Sequence, residues 1–237
     1  MIDVLGVCEA TWPAAATRRL GPWAVRDGAG GGKRVSAATA EGAFCEADLP
    51  EAEAAMRAMD QTPLFRVRPG EEALDAMLAG NGYGVIDPTN MWLCDMTALT
   101  DLALPRVTAL TVWEPLAIMP EIWATGGIGP ARVAVMHRAK GPKTGLLARI
   151  DDHPAGAGFC AISKDTAMVH AIEIVPRFRR RGLAGWMMRA AGFWATTQGA
   201  TQMSVLCTQA NAAGTALYTS LGMRVVGQYH YRILNKG

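Results

Sequence analysis

Residues 172–188, IEIVPRFRRRGLAGWMM, pass from an aliphatic stretch through a proline and four arginines into a second apolar stretch. Pro176 has no N–H to give to a ladder, so a strand ends there. Beyond it Leu183, Met187, Ala190, Ala191 and Trp194 recur three to four residues apart, which is one apolar stripe of a helix. The chain must therefore turn from a buried strand into a helix that packs back on the core, with the arginines and Gly182 in the turn. The first amides of a helix lack intrahelical acceptors and stand at the positive end of its dipole. Gly182, Ala184 and Gly185 leave that backbone open to a ligand. Such a turn suits an anion, a phosphate or pyrophosphate above all.

A solvated basic turn is the plainer reading of the same tetrapeptide. A nucleic-acid surface is not expected, because no second basic stretch and no interleaved exposed aromatics accompany it. The order G-x-x-x-x-G-K-[ST] is absent, so the turn is not a P-loop. The formal net charge of +2 confines any basic patch to a local role.

Half of the 237 residues are hydrophobic, enough for one large core or two small ones. The five cysteines, Cys8, Cys45, Cys94, Cys160 and Cys207, are scattered and form no C-x-x-C pair, so neither a metal site nor a disulfide framework is expected. The first residues show no basic lead-in of a secretory signal, and no apolar run reaches the ~20 residues of a membrane span. The expectation is a cytoplasmic protein with no membrane association.

Two regions follow one another. Residues 1–102 hold the glycine-rich DGAGGGKR, which reads as a hairpin tip, then helical LPEAEAAMRAMD, strand-like LFRVR, helical EEALDAMLAG and strand-like GYGVIDPTNMWLCDM. Residues 103–237 begin with the strand-like RVTALTV and the helical LAIMPEIWATGGIG. Three strand candidates with short polar turns come next, TGLLARI, AGAGFCAI and AMVHAIEIV, antiparallel to one another. The arginine-led helix, strand TQMSVLC, short helix NAAGTALYTSL and strand MRVVGQYHYRIL close the chain. The fold class is α/β of the mixed (α+β) kind: a mostly antiparallel sheet flanked by helices, not a doubly wound parallel sheet. Setting Gly82 over Gly222 also matches Ala73 with Ala213, Ala76 with Ala216 and Val85 with Val225. Alanine and glycine abound here, so a faded repeat and chance agreement both remain open.

The arginine-led stretch resembles the signature of the GCN5-related N-acetyltransferase (GNAT) superfamily: an aliphatic strand, often a proline, an aromatic, then Arg or Gln-x-x-Gly-x-Gly or Ala. Here the pattern falls on Arg179, Arg180, Arg181, Gly182, Leu183 and Ala184, with Ala184 where glycine is commoner. Downstream, NAAGTALYTSLGMRVV resembles the family's Asn, Leu-Tyr, Gly-Phe pattern, with Met223 in place of Phe. The resemblance covers roughly residues 106–237. It implies an acetyl-CoA-dependent N-acetyltransferase, with residues 1–102 as a degenerate second copy or a structural domain.

That resemblance implies a set of site residues. Acetyl-CoA lies where the central strand and the next one splay. Backbone groups of Ile172, Glu173 and Ile174 pair with the pantetheine arm, backbone amides of residues 179–184 hold the pyrophosphate, and the Asn211 side chain contacts the pantetheine. Tyr218 stands at the family's proton-donating position. A base is less clearly marked. Strict alternation puts His170 on one face with Ile172 and Ile174, and Glu173 on the other; His170, then Glu173, are the candidates, with a packed histidine or a water chain as alternatives. Cys207 reads as a buried small hydrophobe rather than a nucleophile. Leu78 occupies the Tyr218 position in the first half, which also lacks the phosphate turn, so that half is expected not to catalyse. The acceptor is expected to be a small-molecule amine or a peptide N-terminus. Glu114 and Glu121 read as solvated helix residues. A non-catalytic acyl-CoA sensor is the competing reading.

Overall fold

The computed structural model describes residues 2–234. The first half runs α1 (Val4–Thr11), β1 (Ala16–Leu20), β2 (Trp23–Asp27), α2 (Lys33–Ser36), β3 (Thr39–Ala40), α3 (Leu49–Arg57), β4 (Leu64–Val67), α4 (Glu72–Gly80) and β5 (Tyr83–Asp95). The second half runs β6 (Ala109–Val112), α5 (Ile118–Thr125), α6 (Pro130–Arg138), β7 (Lys143–Ile150), β8 (His153–Ser163), β9 (Thr166–Ile174), α7 (Leu183–Thr197), β10 (Gln202–Thr208), α8 (Ala212–Ser220) and β11 (Arg224–Leu234). Among the described residues no helix is long and apolar enough to cross a membrane.

Eight strands form one sheet in the order β4-β11-β5-β10-β9-β8-β7-β6. Neighbours in it are antiparallel except β9 and β10, which α7 connects. Strands β1, β2 and β3 form a smaller sheet, and a lone parallel bridge from Ala38 to Phe65 joins it to β4. This is the mixed, mostly antiparallel layer that the sequence predicts.

The halves interlock. Strand β5 lies between β10 and β11, and β11 in turn lies between β5 and β4. Each half thus lends its last strand to the other. Gly82 and Gly222, the glycines that open these two strands, both stand at positive φ, 81° and 73°, where a side chain would be strained.

Two core layers sandwich the large sheet. On one face Leu183, Met187, Met188, Ala191 and Ala195 of α7 pack on Leu146, Cys160, Val169 and Val205. Burying each of the larger side chains stabilises the fold by about 1.5–3 kcal/mol. On the other face α1, α5 and α6 cover Phe159, Met168 and Leu147. A third cluster, with Trp23, Phe65 and Leu74, is the core of the first half.

One local expectation is refined and one element is added. DGAGGGKR does lie between two antiparallel strands, β2 and β3, but in a long connection rather than a tight hairpin tip: Gly30 and Gly32, at φ 74° and 92°, lead the chain into the single helical turn α2. Helix α1 went unread because eight residues give little periodicity; the Asp3 side chain caps it by accepting from the Gly6 amide at 2.9 Å.

Candidate active site

Strands β9 and β10 are paired only through Thr166, Ala167 and Met168, opposite Gln202, Met203 and Ser204. Beyond Met168 they part. Strand β9 stays with β8 as far as Ile174 opposite Gly156, and β10 stays with β5 as far as Thr208 opposite Thr89. A V-shaped gap therefore opens in mid-sheet, with strand backbone along one wall.

A cleft of about 450 Å³ fills this gap. Ile172, Glu173 and Ile174 form the β9 wall. Arg179, Arg180, Gly182, Leu183 and Ala184 form the turn and the start of α7. Asn211, Leu217 and Tyr218 close it from α8. Of the residues expected at the site, only Arg181 and His170 are not among its lining.

The turn is built to present amides. Arg180 at φ 63° and Gly182 at φ 76° put left-handed residues on either side of Arg181. The backbone N–H groups of residues 180–185 donate to no described group. The expected run from residue 179 is corrected at its first member: the Arg179 amide donates to the Pro176 carbonyl at 3.2 Å. The Arg179 side chain is tied back to β9, with Nε on the Ile174 carbonyl at 3.0 Å and Nη2 on Glu173 Oε1 at 2.9 Å. Arg181 turns outward to Asp151 at 3.0 Å, so its side chain faces away from the cleft.

Ala171 changes the expected facing of β9. It stands at φ 53°, where β9 spends one more residue than β8, between His170 opposite Phe159 and Glu173 opposite Ala157. Such a bulge flips the alternation beyond it. His170 therefore lies on the sheet face opposite Ile172 and Ile174, correcting the alternation argument. Its ring stacks on Trp12 at 5.0 Å, its Nε2 lies 2.9 Å from the Thr11 hydroxyl, and its Nδ1 faces Arg34 Nη1 at 3.4 Å. Burial, and then the charge of Arg34, hold its pKa well below the ordinary 6.5. The imidazole is thus neutral, with Nδ1 accepting and Nε2 donating, and it is not placed to take a proton in the cleft. Glu173 lies against Gly126, where a Cβ would come within 2.1 Å of Oε2.

Asn211 caps α8, its Oδ1 accepting from the Gly214 amide at 2.8 Å. Tyr218 lies 5.9 Å from the Trp92 ring, and its hydroxyl meets no described hydrogen-bond partner. Burial raises its pKa, Cys207 adds to this and Arg34 partly offsets it, so the phenol is protonated. Cys207 is buried under Gly214, and burial raises its thiol pKa, as befits a packed hydrophobe. Glu121 is exposed on α5, as expected; Glu114 is exposed but lies in the bend before that helix, not on it. Among the described residues no group of three or more His, Cys, Asp or Glu could hold a metal ion.

The sequence reading missed Arg34. It reaches from α2 of the first half to His170 on β9 and, at 3.4 Å, to the Leu206 carbonyl on β10, straddling the parted strands. No local pattern marks it, because the contact joins residues 172 positions apart.

The parted strands, the open amides and Tyr218 meet in one cleft; residues 114–223, which hold that cleft, match the acetyltransferase (GNAT) family. That match covers a little under half of the chain. It is 24% identical to an uncharacterized N-acetyltransferase, YobR, of Bacillus subtilis (strain 168), over 96% of each chain. It shares its fold with a GCN5-related N-acetyltransferase from Kribbella flavida, at TM-score 0.74 and 19% identity, covering 99% of this chain and 95% of that one. A tandem GNAT protein from the clavulanic acid biosynthesis pathway superposes at TM-score 0.60 and 15% identity, over 100% of this chain and 89% of that one.

Proposed function

We propose that the cleft binds acetyl-CoA and that the enzyme moves its acetyl group to an amine by direct attack on the thioester. The observation that carries this reading is the meeting of two features in one cavity: the unpaired edge of β9 and the free amides of residues 180–185. The residues fit the coenzyme. A pantetheine arm can add to Ile172, Glu173 and Ile174 as an extra strand, and the amides with the dipole of α7 suit a pyrophosphate. Asn211 offers its side-chain amide N–H groups from the rim, its oxygen being used by the cap. When bound, the coenzyme supplies an activated acetyl group.

Tyr218 holds a proton at its hydroxyl and donates toward the sulfur as thiolate charge builds. Glu173, the one expected base that lines the cleft, receives the amine proton directly or through water. Residues 1–102 act as a degenerate copy: Leu78 stands where Tyr218 stands in the second half, and the half contributes β5 and Arg34 rather than chemistry. The acceptor is a small-molecule amine or a peptide N-terminus.

The test is calorimetry with CoA beside a thioester-cleavage assay on an amine panel. Tyr218→Phe is expected to keep CoA affinity within about twofold and to lower kcat by at least tenfold, in the range of a lost general acid. Full turnover by that variant removes the tyrosine's role, and absence of CoA uptake by the folded wild type removes the whole reading.

A further inference from the structure

On the sheet face opposite α7, a second cleft of about 520 Å³ opens between α1, β2, α2 and the end of α6. Its charged lining is Arg26, Arg34, Arg138, Lys140 and one acid, Glu9, beside the indole of Trp12. That acid is already used. Glu9 Oε1 accepts from Arg26 at 2.8 Å and also from Arg66. Among the described residues Arg34, Arg138 and Lys140 have no carboxylate partner. Arg138 gives its Nε to the Pro13 carbonyl at 3.2 Å, while its Nη2 is buried without an acceptor. A buried guanidinium nitrogen without an acceptor is costly, and an oxyanion relieves that cost.

One residue of this cleft also reaches the parted strands. Arg34 lines it and spans from His170 on β9 to Leu206 on β10, so its inner end meets the parted strands from behind. Trp12, stacked on His170, is the flat apolar wall beside it.

We propose that this cleft is the acceptor subsite and that the acceptor is an acidic amine, one carrying a carboxylate or phosphate group. The inference rests on the acetyl-transfer reading above. The oxyanion pairs with Arg138 and Lys140, and the amine points past Arg34 toward the thioester. A guanidinium beside the amine disfavours the ammonium form and so raises the fraction that is nucleophilic.

Calorimetry without CoA tests it, with butylamine, 4-aminobutanoate, glutamate and phosphoethanolamine titrated into wild type, Arg138→Gln and the exposed-site variant Lys140→Glu. The acidic amines are expected to bind wild type at least tenfold more tightly than butylamine, and the better of the carboxylate and phosphate probes names the anion. Lys140→Glu is expected to weaken them at least tenfold and leave butylamine unchanged. Equal binding of butylamine, no binding of any acidic amine, or an affinity indifferent to both substitutions overturns the proposal. A parallel CoA titration separates the two readings: failure of CoA alone overturns the coenzyme assignment, while the anion preference is still read directly.

Discussion

The imidazole of His170 is held between the Thr11 hydroxyl and the Arg34 guanidinium, buried and neutral. Its folded pKa lies below the unfolded value of about 6.5. Below that value the unfolded chain takes a proton that the folded chain refuses, so stability is full above about pH 6.5 and falls as the pH drops further. Thermal unfolding measured from pH 7.5 to pH 5 is expected to show this loss, and His170→Gln should give a flatter dependence. Identical slopes in the two proteins would show that His170 is not neutral in the fold. The residue was visible in the sequence as a titratable group on a strand, but its facing was not. One extra residue at Ala171 reverses which side chains share a face, and nothing in AMVHAIEIV marks the bulge. Tyr218, by contrast, was legible, because its place on α8 is set by the nearby Asn211 cap and Gly222 stop rather than by distant contacts.

Helix α7 connects the turn to the core, and its stripe could be read directly from Leu183, Met187 and Ala191. How closely it sits was not readable. Gly192 packs so tightly that an added Cβ would stand 2.8 Å from Leu99 Cβ, a residue that local patterns do not pair with it. Gly192→Ala is therefore expected to destabilise the protein by about 1–3 kcal/mol, despite the better helix propensity of alanine. Urea unfolding checks this, and a stabilised variant would mean that the helix can shift outward at little cost. Gly182 differs in kind: its φ of 76° shapes the turn itself, so the glycine there was legible from the motif.

In the whole molecule the halves complete each other. Strand β5 fills the place between β10 and β11, and β11 reaches on to β4. Residues 103–237 made alone would leave β10 and β11 with unpaired edges, an aggregation hazard. That fragment is expected to be insoluble or unfolded by circular dichroism, whereas co-expression with residues 1–102 should return a folded pair that binds CoA. A cooperatively folded, CoA-binding 103–237 fragment would refute the interdependence. Sequence alone determined the element order of the second half, the glycine turn that opens α7 and the place of Tyr218 on α8, because caps, glycine conformations and apolar periodicity act over a few residues. Tertiary structure alone decided that β5 and β11 trade places, that the bulge turns His170 away from the cleft, and that Arg34 arrives from the first half. Those outcomes depend on strand pairing and burial between residues far apart in the chain, where no local spacing records which partner wins.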